Sequence, residues 1–153
     1  MKKLFLLFGL IFFAFSCSRT SDDDIQQNAY IDVATDIYVR DATGKNITAS
    51  SVNILKVNYL GSAAPTNTPN FLVASDEKGE KFLRVFLNSG DASSDFAETQ
   101  IEWSDGSKDI FKAEIAREKA YYKTVTKIFV NGTLVWEPSQ GQISTLRMVT
   151  LQK

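Results

Sequence analysis

Residue polarity alternates with a period of two through most of this 153-residue chain, beginning near residue 30. Between Ile31 and Val39 every second residue is apolar or β-branched, and the residues between them are mainly polar. Successive side chains of a β-strand point to opposite faces, so this period predicts strands with one buried face. We predict further strands at 52–60, 71–74, 81–87, 98–103, 110–115, 121–130, 133–136 and 146–151.

Turn-forming residues separate the predicted strands. Glu77–Gly79 is expected to join two of them as a hairpin. The dipeptides Asp105-Gly106 and Asn131-Gly132 accept positive φ angles, which predicts a two-residue type I′ turn at each. Eight or nine short strands with regular turns indicate an all-β fold. The expectation is an antiparallel β-sandwich of about eight strands, with a barrel as the alternative.

Two segments offer a helical alternative. Residues 113–120, with the sequence AEIAREKA, consist mainly of good helix formers, and residues 95–99 are a weaker case. Apolar residues make up 44% of the chain and charged residues 23%, which is typical of globular proteins. Residues 29–153 are therefore expected to form one domain, with a core large enough to be stable without a disulfide or a metal.

The first seventeen residues have the layout of a secretion signal. Lys2 and Lys3 are followed by twelve uncharged residues, LFLLFGLIFFAF, and then by Ser16 and Cys17. Twelve residues are too few to span about 30 Å of hydrocarbon as a helix, which takes roughly 20. They match the apolar region of a signal peptide, so we predict a signal peptide at 1–16.

Cys17 is the only cysteine of the chain and lies where cleavage is expected, directly after the small residue Ser16. This arrangement resembles bacterial lipoprotein signals, in which the cysteine is acylated and becomes the first residue of the mature protein. Ala14 and Phe15 depart from the strict motif, and lipoproteins of Bacteroides-type bacteria resemble this looser form. The resemblance implies lipidation of Cys17 and anchoring to the outer membrane, which two or more acyl chains make stable.

Residues 17–28 are predicted to form a flexible tether, because the stretch after the cysteine is polar and acidic. Its acidic run consists of Ser21, Asp22, Asp23 and Asp24. In Bacteroides-type lipoproteins, an acidic run after the lipidated cysteine resembles a signal for export to the outer face of the outer membrane. The run begins later here than is typical. The extracellular face is therefore the expectation, and the periplasmic face is the alternative.

Three C-terminal stretches, 101–103, 109–114 and 126–136, resemble the end of a group of small lipoproteins from Bacteroides-type bacteria. The resemblance implies a transthyretin-like or immunoglobulin-like sandwich. Residues 39–45, with the sequence VRDATGK, are also similar to the first hairpin of transthyretin-like regulatory domains. The shared residues are turn and core residues, so the resemblance implies a fold and brings no catalytic or ligand-binding residues with it.

The composition excludes several functional classes. The chain has no histidine and one cysteine, which excludes an intrachain disulfide, Ser-His-Asp or Cys-His catalysis, and Cys₂His₂ or His₃ zinc sites. The formal net charge of −1 lacks the basic excess typical of nucleic-acid binders. We therefore predict a non-enzymatic protein that uses no cofactor or metal and binds no nucleic acid.

Carboxylates supply the remaining candidates for chemistry. Glu102, Asp105 and Asp109 surround one predicted hairpin, but the sequence DGSKD lacks the ligand spacing of an EF-hand, and a solvated turn is expected. Asp32 and Asp36 lie four residues apart on a predicted strand, a distance of roughly 13 Å. The two carboxylates of glycosidases lie about 5–10 Å apart, so a carboxylate-dependent, glycan-active enzyme is the least favoured alternative.

Tyr30, Tyr38 and Arg40 are predicted to share the polar face of the first strand, where the tyrosines offer aromatic surfaces to a sugar or a protein. Packing is the alternative role, because β-strands are generally rich in tyrosine. Together these features predict a membrane-anchored interaction module whose partner is an envelope protein or a glycan. A periplasm-facing structural or assembly lipoprotein is the alternative. The sequence predicts no oligomeric state.

Overall fold

The computed structural model of the chain describes residues 30–61, 70–91, 94–119, 122–139 and 146–153. The predicted signal peptide, Cys17 and the acidic tether lie outside these residues. Within them the chain forms ten strands and no helix, and so no helix able to span a membrane. The strands are β1 (Tyr30–Asp32), β2 (Ala34–Arg40), β3 (Ile54–Leu60), β4 (Phe71–Ser75), β5 (Lys81–Phe86), β6 (Phe96–Trp103), β7 (Lys108–Lys119), β8 (Tyr122–Val130), β9 (Thr133–Trp136) and β10 (Met148–Gln152).

The ten strands form two sheets that share one hydrophobic core. The six-stranded sheet has the order β1-β8-β7-β6-β3, and β9 also pairs with β8. The four-stranded sheet has the order β10-β2-β5-β4. Neighbouring strands are antiparallel except at two places, where β1 pairs with β8 and β10 pairs with β2 in parallel. The prediction of an all-β fold is confirmed, and both sheets are mixed.

The expectation of a purely antiparallel arrangement is wrong at these two pairs, which join segments far apart in the chain. Tyr30 lies opposite Tyr122, and Met148 lies opposite Asp36. A hairpin imposes antiparallel pairing, but strands that no hairpin joins can pair in either direction. The alternation of residues is the same in both cases, so sequence periodicity does not reveal the direction of a strand.

The first predicted strand is divided between the two sheets. Val33 separates β1 from β2, so the alternating run from Ile31 to Val39 supplies one strand to each sheet. Val33 is 8% exposed and Ile37 and Val39 are fully buried, as the alternation predicts, but Ile31 is 50% exposed and the residues on either side of Ile37 in β2 are buried as well. The run therefore predicts the buried positions of its later part, but neither the exposure of Ile31 nor the break.

Both helical alternatives are wrong in the described residues. Residues 96–99 belong to β6 and 113–119 to β7, which pairs with β6 on one side and with β8 on the other. Ala113 is fully buried and Ile115 is 3% exposed, whereas Glu114 between them forms an ion pair with Lys127. Burial of alternate residues in the sheet outweighs helix propensities, which differ by less than about 1 kcal/mol between ordinary residues.

The two predicted type I′ turns differ in the structure. Asn131 and Gly132 have φ angles of 49° and 85° and connect β8 directly to β9, which confirms a two-residue turn. In the Asp-Gly turn only the glycine, Gly106, has a positive φ, of 83°. There the Trp103 N–H donates to the Ser107 carbonyl at 2.9 Å, so the loop has three residues. The prediction of a two-residue turn is wrong at this position.

Side chains from both sheets form the core. Trp103 and Phe111 come from the six-stranded sheet, Ile37 and Leu83 come from the four-stranded sheet, and all four are fully buried. Trp103 and Trp136 are in phase with apolar neighbours in the sequence, which predicts that both are core residues. The prediction is confirmed for Trp103. Trp136 is partly buried and packs against the same core.

The charged side chain of Arg147 is buried. Arg147 lies just before β10 and is 2% exposed. Its guanidinium donates to the two Asp32 carboxylate oxygens at 2.9 and 3.1 Å. It also donates to the Thr124 hydroxyl at 2.8 Å and to the Val125 carbonyl at 3.3 Å. Because Asp32 belongs to β1 and the other two acceptors belong to β8, this arginine fastens the start of β10 to the six-stranded sheet.

Arg147→Met is expected to lower the free energy of unfolding by about 3–5 kcal/mol, because it leaves the Asp32 carboxylate without its partner. Adding Asp32→Asn should recover part of this loss, since it removes the unpaired charge. Lys127→Met is the control, because it breaks a more exposed ion pair and should cost much less than Arg147→Met. Urea unfolding at neutral pH measures these variants. A cost for Arg147→Met no larger than that of the control would contradict its role as a link.

Candidate functional site

A groove of about 550 Å³ lies on the outer face of the four-stranded sheet. Its lining comes from β2, from β5, from the end of β4 and the turn that follows it, and from residues at the start of β10. The volume lies within the range of ligand-binding clefts in proteins. The lining residues are Asp36, Tyr38, Ser75, Asp76, Glu77, Lys78, Phe82, Arg84, Leu146 and Met148.

An ion pair between Asp36 and Arg84 lines the groove. The two residues are direct cross-strand partners on β2 and β5. Nε and Nη2 of Arg84 donate to the two carboxylate oxygens at 2.7 and 2.8 Å. These hydrogen bonds raise the pKa of Arg84, although its partial burial acts in the opposite direction. The Asp36 side chain is 6% exposed and that of Arg84 is 39% exposed, so the arginine presents a largely neutralised guanidinium to the groove.

Tyr38 occupies the next outward position of β2, yet it is only 8% exposed. Its ring centroid lies 5.6 Å from that of Phe82, and its hydroxyl donates to Asp76 Oδ2 at 3.4 Å. Burial and then the charge of Asp76 raise the pKa of Tyr38, so the hydroxyl stays protonated. A ligand in the groove therefore meets only a small part of the ring, whereas the sequence suggested an open aromatic surface.

The three residues predicted to form a contact surface belong to two strands of different sheets. Arg40 lies on the same face of β2 as Tyr38, and its Nη2 donates to Glu80 at 2.8 Å. Tyr30 belongs to β1 in the other sheet, and its side chain is not among those described. Of the three residues only Tyr38 lines the groove. A contact surface made by all three together stays a prediction.

The groove combines charged, aromatic and apolar groups. Leu146 and Met148 are 51% and 52% exposed, and the Arg84 guanidinium lies 5.4 Å over the Phe82 ring. Alternation along β5 places Phe82 and Arg84 on one face, but no sequence signal places them beside β2 or β10. A ligand that carries hydrogen-bonding groups next to an apolar portion, such as a peptide segment or a sugar, fits this lining.

A smaller cavity of about 250 Å³ shares three lining residues with the groove, namely Asp36, Arg84 and Leu146. Asp32 and Arg147 also line it. Two bidentate Asp–Arg pairs therefore face the same space. Asp32 and Asp36, four apart in sequence, lie on strands of different sheets and each binds its own arginine.

Two acidic residues near the turn between β6 and β7 have separate partners. Glu102 accepts a hydrogen bond from Lys108 Nζ at 3.1 Å. Asp105 accepts hydrogen bonds from the backbone and the hydroxyl of Ser107 within the turn. In the part of the chain that the structure describes, no group of three or more His, Cys, Asp or Glu residues is placed to hold a metal ion.

Asp109, the third acidic residue near this turn, is 9% exposed and lies in a polar network. It binds Trp103 Nε1 and Asn131 Nδ2 at 2.7 Å each, and Lys153 Nζ at 2.9 Å. Burial alone would raise the pKa of Asp109, but the hydrogen bonds from Lys153 and Asn131 outweigh it and lower the pKa below the ordinary value of 3.8. Asp109 therefore ties β7 to the turn after β8 and to the last residue of the chain, instead of forming the solvated turn expected from the sequence.

Asp109→Asn is expected to destabilise the fold at neutral pH by about 1–3 kcal/mol, because it removes the charge that Lys153 and Asn131 stabilise. A carboxylate whose pKa is lowered by folding gives stability that is complete above its unfolded pKa and lost as the pH falls through the folded value. The difference in unfolding free energy between wild type and variant should therefore shrink as the pH falls below 3.8. Chemical unfolding at a series of pH values measures it, and a pH-independent difference would contradict the assignment.

No protein-family model, curated protein or solved structure matches the chain. The similarity to transthyretin-like lipoprotein domains therefore stays a prediction. What the chain binds has to be inferred from its own surfaces, of which the groove beside Arg84 has the richest chemistry in the described residues.

Proposed function

We propose that the chain is an outer-membrane lipoprotein, anchored through Cys17 and exposed on the extracellular face, whose β-domain binds a protein or glycan partner without catalysis. Three sequence features support this location: the signal peptide at 1–16, the single cysteine after it and the acidic run at 21–24. The domain belongs, in this proposal, to the transthyretin-like or immunoglobulin-like sandwiches. The groove on the four-stranded sheet is its binding surface.

The chemistry of the groove is the observation that carries this proposal. It places an arginine, a tyrosine hydroxyl and several carboxylates beside the exposed apolar side chains of Leu146 and Met148. Binding surfaces for peptides and sugars combine such hydrogen-bonding groups with apolar area. The groove is also open to solvent along the sheet, which suits a segment of a larger molecule better than an enclosed small ligand.

The electrostatics of the groove favour binding over catalysis. A general acid or base needs a carboxylate oxygen within hydrogen-bond reach of the proton that it transfers. Asp36 and Asp32 each hold a bidentate arginine, which occupies both carboxylate oxygens. These carboxylates are therefore suited to positioning arginines rather than to transferring protons.

The position of β1 supports display at a distance from the membrane. Twelve residues, 18–29, lie between Cys17 and Tyr30, the first residue of β1, which makes thirteen Cα–Cα steps. A stretch of that length spans at most about 45 Å. The tether therefore allows the domain to stand clear of the lipid surface, with the groove accessible to other molecules.

The extracellular location is tested by producing the full chain, with an epitope after Lys153, in a Bacteroides-type host. Intact cells are then treated with protease. We expect the epitope to be lost from wild type on intact cells, and Cys17→Ala to leave the membrane fraction. Replacing Asp22, Asp23 and Asp24 by Asn should protect the epitope until the cells are lysed. An epitope on the wild-type protein that is protected on intact cells would contradict extracellular display and favour the periplasmic face.

Binding by the groove is tested with a photo-crosslinking amino acid at Met148 or at Thr150 in the same cells. Both residues are exposed and lie on the same face of β10, but only Met148 lines the groove. We expect one discrete crosslinked partner, a protein or a polysaccharide, from position 148 and much less from position 150. Met148→Asp should then weaken binding of that partner by at least about tenfold, because it puts a charge into the apolar rim. Equal crosslinking from both positions would contradict the proposal.

A further inference from the structure

The strand β4 forms one edge of the four-stranded sheet among the described residues, and it lacks the features that normally protect an edge. Its sequence, FLVAS, contains no charged residue and no proline. Its five residues pair with β5 in an unbroken register without a bulge. Natural proteins usually protect an exposed edge with a lysine, a proline or a bulge, because unprotected edges pair with other strands.

The hydrogen bonds at both ends of β4 identify the backbone groups on its free side. The Phe86 N–H donates to the Asn70 carbonyl at 2.9 Å, and the Asp76 N–H donates to the Glu80 carbonyl at 2.9 Å. In an antiparallel pair such bonds recur at every second residue, so residues 70, 72, 74 and 76 face β5. The N–H and C=O groups of residues 71, 73 and 75 therefore point away from β5, along the open edge.

The strand β3, at one edge of the six-stranded sheet, has the protective features that β4 lacks. The register between β3 and β6 shifts between Ile54 and Lys56, so Leu55 sits at a bulge, and Lys56 brings a charge to the strand. Both features are among the usual protections of an edge. The four-stranded sheet has β10 at its other edge, and β10 contacts β9 of the six-stranded sheet. Of these three edge strands, β4 is therefore the one best suited to pair with a strand of another molecule.

The sequence of β4 is complementary to itself in one antiparallel register. If two copies pair with Val73 opposite Val73, then Phe71 lies opposite Ser75 and Leu72 lies opposite Ala74. Phe71 and Leu72 then each meet a small side chain, two valines meet at the centre, and no like charges meet. In this register residues 71, 73 and 75 of each copy face their counterparts, and these are the residues with free backbone groups. Leu72 and Val73, which are 39% and 50% exposed, become covered.

We propose that two copies of this chain form a two-fold symmetric dimer through antiparallel pairing of β4, which joins the two four-stranded sheets into one continuous sheet. Two-fold dimers use the same surface on both subunits, which a self-complementary strand provides. The steric match and the lack of charge in β4 favour a second copy over an unrelated peptide. This dimer needs neither the lipid anchor nor a ligand in the groove, although Ser75 at the end of β4 also lines the groove. Its test is therefore independent of the function proposed above.

The association is tested with the full chain carrying Cys17→Ala, by sedimentation velocity over a range of protein concentrations. We expect a monomer–dimer equilibrium. Val73→Lys should raise the dimer dissociation constant at least about tenfold, because it places two like charges opposite each other at the centre of the pairing. Leu55→Lys is the control: it adds the same charge at a position 67% exposed on β3 and should leave the dimer unchanged. A chain that stays monomeric up to about 1 mM overturns the proposal.

Disulfide trapping tests the register, even if a charged variant folds poorly. Because Cys17 is the only natural cysteine, the double variant Cys17→Ala with Val73→Cys has a single thiol. Opposed residues of a hydrogen-bonded pair have Cα atoms about 5.5 Å apart, which suits a disulfide. We expect oxidation to give a covalent dimer from this variant and much less from Cys17→Ala with Leu55→Cys. Equal yields from both would overturn pairing through β4.

Discussion

The buried guanidinium of Arg147 links the two sheets through hydrogen bonds to the six-stranded sheet from the start of β10. Its acceptors include groups of β1 and β8 and the Ala34 carbonyl of β2, while its own backbone leads into β10. A buried arginine with one partner removed is costly, because a charge in the interior needs both a counter-ion and full hydrogen bonding. The fold therefore depends on Asp32 and the strand carrying it staying in place, although β1 has only three residues.

The crossing of the chain at Val33 places two Asp–Arg pairs next to each other. Asp32 lies before the crossing and binds Arg147, and Asp36 lies after it and binds Arg84. Each pair is bidentate, so the geometry of both arginines is fixed and the net charge of the region is small. The outer face of the four-stranded sheet thus presents positioned hydrogen-bonding groups without a strong electrostatic field, and exposed apolar residues adjoin them. Such a surface is suited to selecting a partner by shape and hydrogen bonding.

The same sheet has two distinct surfaces with different physical properties. The groove lies on its outer face and draws on side chains of β2, β5 and β10. The edge at β4 draws on backbone groups, which need only an extended partner of compatible shape. Because β4 is joined to β5 by the turn that supplies Asp76 to the groove, the two surfaces are adjacent, and they meet at Ser75, the last residue of β4.

The sequence by itself determined the all-β class, the burial of Val33, Ile37 and Val39 and the Asn131-Gly132 turn, because these follow from the two-residue period and from local φ preferences. It also marked Trp103 as a core residue. Only the tertiary structure decided that β1 and β10 pair in parallel, that Val33 divides one alternating run between two sheets, and that Asp36 meets Arg84. These outcomes depend on contacts between residues distant in the chain, and the alternation of polarity is identical for either strand direction and either sheet.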